Sequence, residues 1–188
     1  MDPSAAKSRS LVGVAIVAAV VILAAGGFLL GRATSPESSP TTAGVERSVG
    51  DLLAEAVALH ASGLTDVAVE RYETILAIEP GNALALYNLG QITQQQGDLQ
   101  GAIDLYDRAL QSDPELRSAA FNRAIALRDS GREVEAIAAF EAIISADPDS
   151  VGALFNLGNL LIARGDPERG VALVNRAVEL DPSLRGDQ

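Results

Sequence analysis

The sequence predicts an all-α protein: a right-handed α-solenoid of four 34-residue helix–turn–helix repeats, plus one N-terminal transmembrane helix. The first observation is a set of prolines that recurs every 34 residues, at Pro80, Pro114, Pro148 and Pro182. The second is a set of glycines with the same period, at Gly63, Gly97, Gly131 and Gly165. The third is an uninterrupted apolar run over residues 11–30. A fixed period of this size is typical of solenoids, in which each unit buries its apolar face against its neighbours.

These features divide the chain into five segments. In chain order we expect a short N-terminal tail, a transmembrane signal-anchor helix, a flexible linker, a repeat domain and a C-terminal tail, at 1–10, 11–31, 32–48, 49–184 and 185–188. The repeat domain consists of four units, at 49–82, 83–116, 117–150 and 151–184. A single helical hairpin of this length has little core, so stacking has to supply the missing contacts.

The apolar run has the length of a membrane span. Its 20 residues contain no charged side chain, and at a helical rise of about 1.5 Å they extend over roughly 30 Å, the thickness of the hydrocarbon core of a bilayer. A buried core helix and a cleaved secretory signal are the alternatives. The stretch Leu30-Gly31-Arg32-Ala33 places a charge where a signal peptidase prefers small residues, and we therefore favour an uncleaved anchor.

The charges that flank the span predict its orientation. Lys7, Arg9 and the amino terminus precede it, whereas Arg32 alone follows closely. Because positive charge is retained on the cytoplasmic side, we expect a single-pass protein of a bacterial inner or cell membrane with a cytoplasmic N-terminus. The repeat domain then lies in the periplasm or elsewhere outside the cytoplasm. The Pro-, Ser- and Thr-rich linker that follows the span cannot build a core.

The second unit shows how each repeat is built. Apolar and small residues at helical spacing predict one helix over 83–96 and a second over 99–112, with Gly97 between them. Asp113-Pro114 ends the second helix, because proline disfavours the helical conformation of the residue before it. In the first unit, Ser48 and Asp51 have the spacing of a helix N-cap.

Small residues recur where neighbouring helices are expected to cross closely. One set lies on the first helices, at Ala56, Gly90, Ala124 and Gly158. A second set lies early on the second helices, at Ala68, Ala102, Ala136 and Gly170. Large residues alternate with them, at Tyr72, Tyr106, Phe140 and Val174. Small residues that face large ones allow helices to interdigitate at native packing density.

This pattern closely resembles the tetratricopeptide repeat family. The second unit carries the motif at Leu86, Leu89, Gly90, Ala102, Tyr106, Ala109 and Pro114, and the fourth repeats it at Leu154, Leu157, Gly158, Gly170, Ala177 and Pro182. The resemblance covers about three-quarters of the chain. Glu55 and Arg123 stand where the family usually has an apolar residue. Gly170 and Val174 replace an alanine and an aromatic residue, so we expect the last helix to pack less firmly.

The sequence does not point to an enzyme. It contains no cysteine and a single histidine, His60, with no cluster of metal ligands beside it. The acidic pairs Asp104/Asp107 and Glu133/Glu135 fall at solvent-facing helical positions, and no phosphate-binding GxxxxGK loop occurs. We therefore expect no catalytic residues, no cofactor and no metal.

The charge of the repeat domain excludes another class of partner. Residues 45–188 contain 23 acidic residues and 11 arginines, which leaves a formal charge of −12. Nucleic-acid binding needs a basic face that neutralises phosphates, so we expect none. Partners with basic surfaces are instead attracted to an acidic domain.

The resemblance implies that the first helices line a concave groove. Three asparagines recur there with the period of the repeat, each directly after an aromatic residue. We predict a peptide-binding groove formed by these pairs and by polar residues of the same face: Tyr87, Asn88, Gln91, Gln94, Gln95, Phe121, Asn122, Arg128, Phe155, Asn156 and Asn159. An asparagine amide offers donors and an acceptor to a peptide backbone. Alternatively, the asparagines serve helix–helix hydrogen bonds and the aromatic residues serve packing.

Together these observations favour a membrane-anchored interaction protein that binds a peptide or partner subunit, for assembly or maturation of an envelope complex. One alternative is a homo-oligomeric scaffold that associates through the C-terminal repeat edge, where Val171, Val174 and Val178 are expected to be partly exposed. Another is an accessory regulatory subunit of a membrane enzyme.

Overall fold

The computed structural model describes residues 47–185, which form eight α-helices arranged in four consecutive pairs. The helices are α1 Val49–Ala61, α2 Thr65–Ile78, α3 Ala83–Gln95, α4 Leu99–Ser112, α5 Arg117–Asp129, α6 Glu133–Ala146, α7 Val151–Ala163 and α8 Pro167–Leu180. A short 3₁₀-helix over Pro182–Arg185 follows α8. Each helix packs on the next one along the chain. The predicted all-helical architecture of stacked hairpins is confirmed.

A glycine closes the first helix of every pair. The φ values of these glycines lie between 79° and 88°, a range that residues with a Cβ rarely adopt; they are Gly63, Gly97, Gly131 and Gly165. In the first hairpin the Leu64 amide donates to the Leu59 carbonyl at 3.0 Å, and the Gly63 amide donates to that of His60. This pair of bonds is the Schellman motif, which satisfies the last carbonyls of a helix. The glycines recur with the period of the repeat because each of the four hairpins needs a residue in the left-handed conformation at the end of its first helix.

The start of α1 is capped as the sequence predicts. The Ser48 hydroxyl accepts from the Asp51 amide at 3.1 Å, and the Asp51 carboxylate accepts from the Ser48 amide at 3.2 Å. This reciprocal pair is a capping box, which satisfies two of the amides that a helix N-terminus leaves unpaired. Asn82, Asp98 and Asp166 cap later helices through their side chains.

Glycines on α7 and α8 let these two helices approach closely. A Cβ placed on Gly158 lies 2.8 Å from the Gly170 carbonyl oxygen, and a Cβ placed on Gly170 lies 2.6 Å from that of Gly158. No alanine fits at such distances without a backbone shift. The expectation that the last helix packs less firmly against its partner is therefore wrong, because the two glycines compensate for the smaller Val174.

The core runs between the helix pairs along the stack. The small residues of both predicted sets are buried, and Tyr72, Tyr106 and Phe140 are fully buried in the recurrent large position. Val174, in the equivalent position of the fourth repeat, is half-buried, and Val171 beside it is 47% exposed. The predicted exposure of valines on α8 is thus present.

The predicted transmembrane helix at 11–31 lies outside the described residues, as do the N-terminal tail and most of the linker. Among residues 47–185, no helix combines the length and the apolar character that a membrane span requires.

Candidate peptide-binding surface

The first helices of the repeats form the more closely spaced layer of the stack. Helix α3 contacts both α1 and α5, whereas no comparable contact joins two second helices within residues 47–185. Hydrogen bonds also join α3 to α5 and α5 to α7. Because the inner layer of a curved stack is the shorter one, this spacing places the first helices on its concave side.

The three periodic asparagines, Asn88, Asn122 and Asn156, lie on this layer and are half-buried, whereas the fourth predicted asparagine, Asn159, is exposed. The Asn88 amide donates to the Leu84 carbonyl one turn earlier at 2.7 Å, and the Asn156 amide donates to that of Gly152 at 2.8 Å. Each of these two amide groups is therefore used within its own helix, in a local bond that is common for asparagine side chains.

Two of the asparagines also bridge neighbouring first helices. The Asn122 amide donates to the Tyr87 hydroxyl at 3.5 Å, which is a long bond. The Asn156 oxygen accepts from the guanidinium of Arg128. The alternative that asparagines serve helix–helix hydrogen bonds therefore has support at these two positions, and Asn88 is the asparagine bound only within its own helix.

The predicted aromatic residues are half-buried and take part in packing. The ring of Tyr87 lies 6.1 Å from that of Tyr106, and the ring of Phe121 lies edge-on to that of Phe140 at the same distance. Phe121 also fills the space above Gly152, where an added Cβ comes within 2.8 Å of the ring. Such pairs stabilise the core by about 0.5–1.5 kcal/mol beyond their burial. These side chains therefore shape the surface more than they project from it.

Four of the predicted polar residues come together in one depression of about 350 Å³ between α3, α4 and α5. We refer to it as the amide cleft. It is lined by Gln91, Gln94, Gln95, Leu99, Tyr106, Asn122 and Asp129. The glutamines and the asparagine present both donors and acceptors, the chemistry that a peptide backbone requires.

Sequence reasoning missed three of the residues that line the amide cleft. Tyr106 is predicted as a large core residue of the second helix, and Leu99 and Asp129 are not among the predicted groove residues. Asp129 could be predicted from its position in the repeat, because it lies one 34-residue period after Gln95. The remaining predicted residues lie outside this cleft: Tyr87 and Asn88 are on α3, Phe121 and Arg128 on α5, and Phe155, Asn156 and Asn159 on α7. Phe121 lines a different cleft.

The hydroxyl of Tyr106 forms part of the wall of the amide cleft. It donates to the Gln94 side-chain oxygen at 2.8 Å. Burial raises the pKa of Tyr106, so the hydroxyl stays protonated and keeps donating at neutral pH. The bond occupies the Gln94 oxygen, and the Gln94 amide nitrogen has no hydrogen-bond partner among the described residues.

Exposed apolar residues accompany the polar ones along the first helices. Val57 is 45% exposed, Leu84 46% and Ile162 39%, and they lie on α1, α3 and α7 respectively. These side chains were not predicted, because each is an ordinary residue in an amphipathic helix. They add exposed apolar surface to the first helices.

Few charges lie on this surface, although the repeat domain is strongly acidic. Among the predicted residues only Arg128 is charged, and it bonds to its neighbour Asp129 at 2.8 Å as well as to Asn156. Most ion pairs lie elsewhere. They include three of the four acidic residues that the sequence assigned to solvent-facing positions, Asp107, Glu133 and Glu135, whereas Asp104 accepts from Gln100. Arg132 holds the pKa of Glu135 below its ordinary value, and Glu133 pairs with Arg164 at 2.7 Å.

Between residues 47 and 185, no group of three or more histidines and carboxylates is placed to hold a metal ion. His60 lies half-buried in the last turn of α1. The departures Glu55 and Arg123 are ion-paired: Glu55 accepts from Arg71 at 3.0 Å, and Arg123 pairs with Asp107. Arg71 holds the pKa of Glu55 below its ordinary value, with a contribution from Arg47.

Comparison with protein families identifies the repeat directly. The family model described as tetratricopeptide repeat matches residues 53–117, 95–151 and 121–184. Together these matches cover most of the chain. None of the curated proteins compared with the chain matches it significantly.

Solved structures with the same fold include MamA. The crystal structure of MamA is 24% identical over 73% of this chain and 80% of that one, with a TM-score of 0.67. MamA residues 41 to the end from Desulfovibrio magneticus RS-1 give 22% identity, coverages of 71% and 76%, and a TM-score of 0.66. A tetratricopeptide repeat protein from Parabacteroides merdae is 23% identical over 72% of this chain and 54% of that one, with a TM-score of 0.66. At these identities the likeness shows the fold alone.

Proposed function

Because the chain belongs to the tetratricopeptide repeat family, we propose that it is a membrane-anchored interaction protein that binds a peptide or partner subunit in the groove of its first helices. The observation that carries this proposal is the amide cleft. It brings Gln91, Gln94, Gln95 and Asn122 together on the inner helix layer, and Asp129 is the one charged residue in its lining. The function we infer is the assembly or maturation of an envelope complex.

The composition of the groove favours an extended, neutral or mildly basic segment with apolar anchors. Amide side chains bond to backbone groups irrespective of the side chains of the ligand. Leu84, Val57 and Ile162 offer apolar contacts along the same layer. A formal charge of −12 on residues 45–188 attracts a basic partner from a distance. The repeats contain no lysine that could clamp a terminal carboxylate.

Membrane attachment is part of the proposal and is supported by the sequence. The apolar run at 11–30 has the length of a span, and Lys7 and Arg9 precede it. We place the repeat domain outside the cytoplasm, joined to the span by the linker. Protease treatment of intact spheroplasts tests this placement: digestion of the repeat domain supports it, and protection until the membrane is broken contradicts it.

Amide-to-alanine variants test the groove. Gln91 and Gln95 have no side-chain hydrogen-bond partner among the described residues, so their loss leaves the internal bonds of the fold in place. We expect Gln91→Ala/Gln95→Ala to reduce the yield of partner crosslinks, identified by mass spectrometry of native membranes, by about tenfold, since each lost bond contributes about 0.5–1.5 kcal/mol. Gln111→Ala on the exposed face of α4 is the matched control. An unchanged crosslink yield in the double variant would count against the groove.

A homo-oligomeric scaffold is the second candidate, and one observation favours it. Val171 is 47% exposed, whereas Ile103, its equivalent in the second repeat, is 1% exposed. An apolar residue that is covered in one repeat and open in another offers a contact to a further copy. Sedimentation velocity over a hundredfold range of protein concentration distinguishes the two candidates, because a strict monomer removes the scaffold and leaves the peptide-binding groove.

A further inference from the structure

The third repeat has alanines where its neighbours have leucines. On the first helices, Leu52, Leu86 and Leu154 share one position of the repeat, and Ala120 takes it in the third. On the second helices, Leu105 and Leu173 share another position, and Ala139 takes it there. Each exchange removes three carbon atoms from the interior of the hairpin. The third repeat therefore lacks volume that the adjacent repeats contain.

A cleft of about 620 Å³ lies where these side chains are missing. We refer to it as the alanine cleft. Its apolar lining consists of Leu110, Pro114, Ala120, Phe121, Ala139, Ala142, Ile143 and Ala146, and its polar rim consists of Glu115, Arg117, Ser118, Arg123, Asp147 and Ser150. Its volume lies within the range of about 300–1,000 Å³ that is common for ligand pockets.

Packing around the alanine cleft keeps it open. The ring of Phe121 is held between Phe140, edge-on at 6.1 Å, and the backbone of Gly152. Phe140 is itself fully buried and cannot turn into the space. In the second and fourth repeats the leucines at the position of Ala120 are buried, since Leu86 and Leu154 are 0% and 2% exposed.

We propose that the alanine cleft binds leucine side chains presented by a partner polypeptide. The occupant is indicated by the chain itself, because the same helical hairpin accommodates two leucines at these positions in the adjacent repeats. This site differs from the amide cleft in chemistry and in its residues, since the two clefts share none. It therefore gives the protein a second contact, selective for branched aliphatic groups.

The charges of the rim favour a peptide over a fatty acid. Arg117 pairs with Asp147 at 3.8 Å, and Arg123 pairs with Asp107. Both cations at the rim thus face carboxylates of the protein, which leaves a balanced edge around an apolar floor. A fatty acid brings a carboxylate that needs an additional cation, whereas a leucine within a peptide brings none.

Methyl NMR on the full-length protein in lipid nanodiscs tests the proposal. Alanine methyl groups are labelled, and N-acetyl-leucine amide is the probe. We expect saturable shifts at the methyls of Ala120, Ala139, Ala142 and Ala146. N-acetyl-alanine amide should bind about 10- to 100-fold more weakly, because it buries three fewer carbons.

Filling the alanine cleft provides the matched variant. Ala120→Leu/Ala139→Leu should abolish the response of the Ala142 and Ala146 methyls, while Ala138→Leu, at an exposed position of the same helix, should preserve it. Ala139→Leu alone serves if the double variant does not fold. Three results overturn the proposal: no saturable shift with the leucine probe, an undiminished shift in the filled variants, or no preference for leucine over alanine.

Other occupants give distinct results in the same experiment. Tighter saturation of these methyls by decanoate than by the leucine probe would assign the cleft to an acyl chain and overturn the peptide. Shifts that grow with protein concentration alone, and that vanish in the filled variant, would assign the cleft to a second copy of the chain. This result would also overturn the proposal.

Discussion

At the scale of single residues, Tyr72 and Tyr106 occupy the same position of the repeat but differ in their hydroxyls. Both side chains are fully buried. The Tyr106 hydroxyl donates to Gln94, whereas the Tyr72 hydroxyl has no hydrogen-bond partner within the described residues. The partner position in the first repeat is held by His60, one period before Gln94. A buried hydroxyl without a partner costs about 1–3 kcal/mol of stability.

Removing each hydroxyl should therefore have opposite effects. We expect Tyr72→Phe to raise the free energy of unfolding by about 1 kcal/mol, because an unsatisfied polar group leaves the core. Tyr106→Phe should lower it by about 1 kcal/mol, because the bond to Gln94 is lost. Phe140 in the third repeat shows that phenylalanine fits this position. Urea unfolding followed by circular dichroism measures both variants, and changes of the same sign would contradict the prediction.

Gly158 is the residue at which helix propensity and packing oppose each other most clearly. Alanine within a helix is favoured over glycine by about 1 kcal/mol. However, a Cβ at Gly158 lies 2.7 Å from the Val174 Cγ2 and 2.8 Å from the Gly170 carbonyl oxygen. The backbone contact cannot be relieved by a rotamer change, and overpacking of this kind costs about 1–3 kcal/mol.

We accordingly predict that Gly158→Ala lowers the midpoint of thermal unfolding, with a net loss of up to about 2 kcal/mol after the propensity gain is subtracted. Gly50→Ala is the control, since the nearest atom to its added Cβ is the Ser48 hydroxyl oxygen at 3.6 Å. That variant should be neutral or slightly more stable. Equal stability of Gly158→Ala and the wild type would mean that α7 and α8 are less closely packed than described.

At the scale of helices, the sequence determines most of what the structure shows. Gly97 ends α3 through a left-handed turn, and Asp113-Pro114 ends α4, as the punctuation of the sequence predicts. Both signals are local, so they can be read without knowing the neighbours. The close approach of α7 and α8 is not local. It depends on Gly158 and Gly170 facing each other, which is known only once the packing of the two helices is known.

The capping box of α1 leads to a prediction at the same scale. Ser48→Ala removes the side-chain acceptor of the Asp51 amide and should cost about 1 kcal/mol. Because α1 lies at one end of the described stack, we expect the loss to appear as faster amide hydrogen exchange within α1. Exchange in α5 and α6 serves as the internal control. Uniform acceleration across all helices would indicate that α1 does not open independently.

At the scale of the whole described stack, most ion pairs and most uncharged amide groups lie on different surfaces. The acidic residues form ion pairs with arginines at many places, such as Asp149 with Arg176 and Glu141 with Arg169. The inner helix layer instead gathers amides and exposed apolar side chains. A partner can thus be attracted by the long-range field and yet be held by uncharged contacts.

The candidate surface could be predicted from the sequence only in part. The periodic asparagines and the polar residues after them could be assigned to the first helices from the sequence, because the position of a residue in the repeat fixes its helix and the face of that helix. The roles of individual side chains could not be predicted, since Asn122 and Asn156 bond across helices that are distant in sequence. Leu99 and Asp129 line the amide cleft through the same long-range packing.

Site-specific photo-crosslinking tests the central claim most directly. A photoreactive amino acid is placed in turn at Gln91 and Gln95 in the amide cleft, and at Gln111 on the outer face of α4, in cells that express the full-length chain. We predict one shared polypeptide adduct from the two cleft positions and none from Gln111. An adduct from Gln111 alone, or equal adducts from all three positions, would contradict a peptide-binding groove on the first helices.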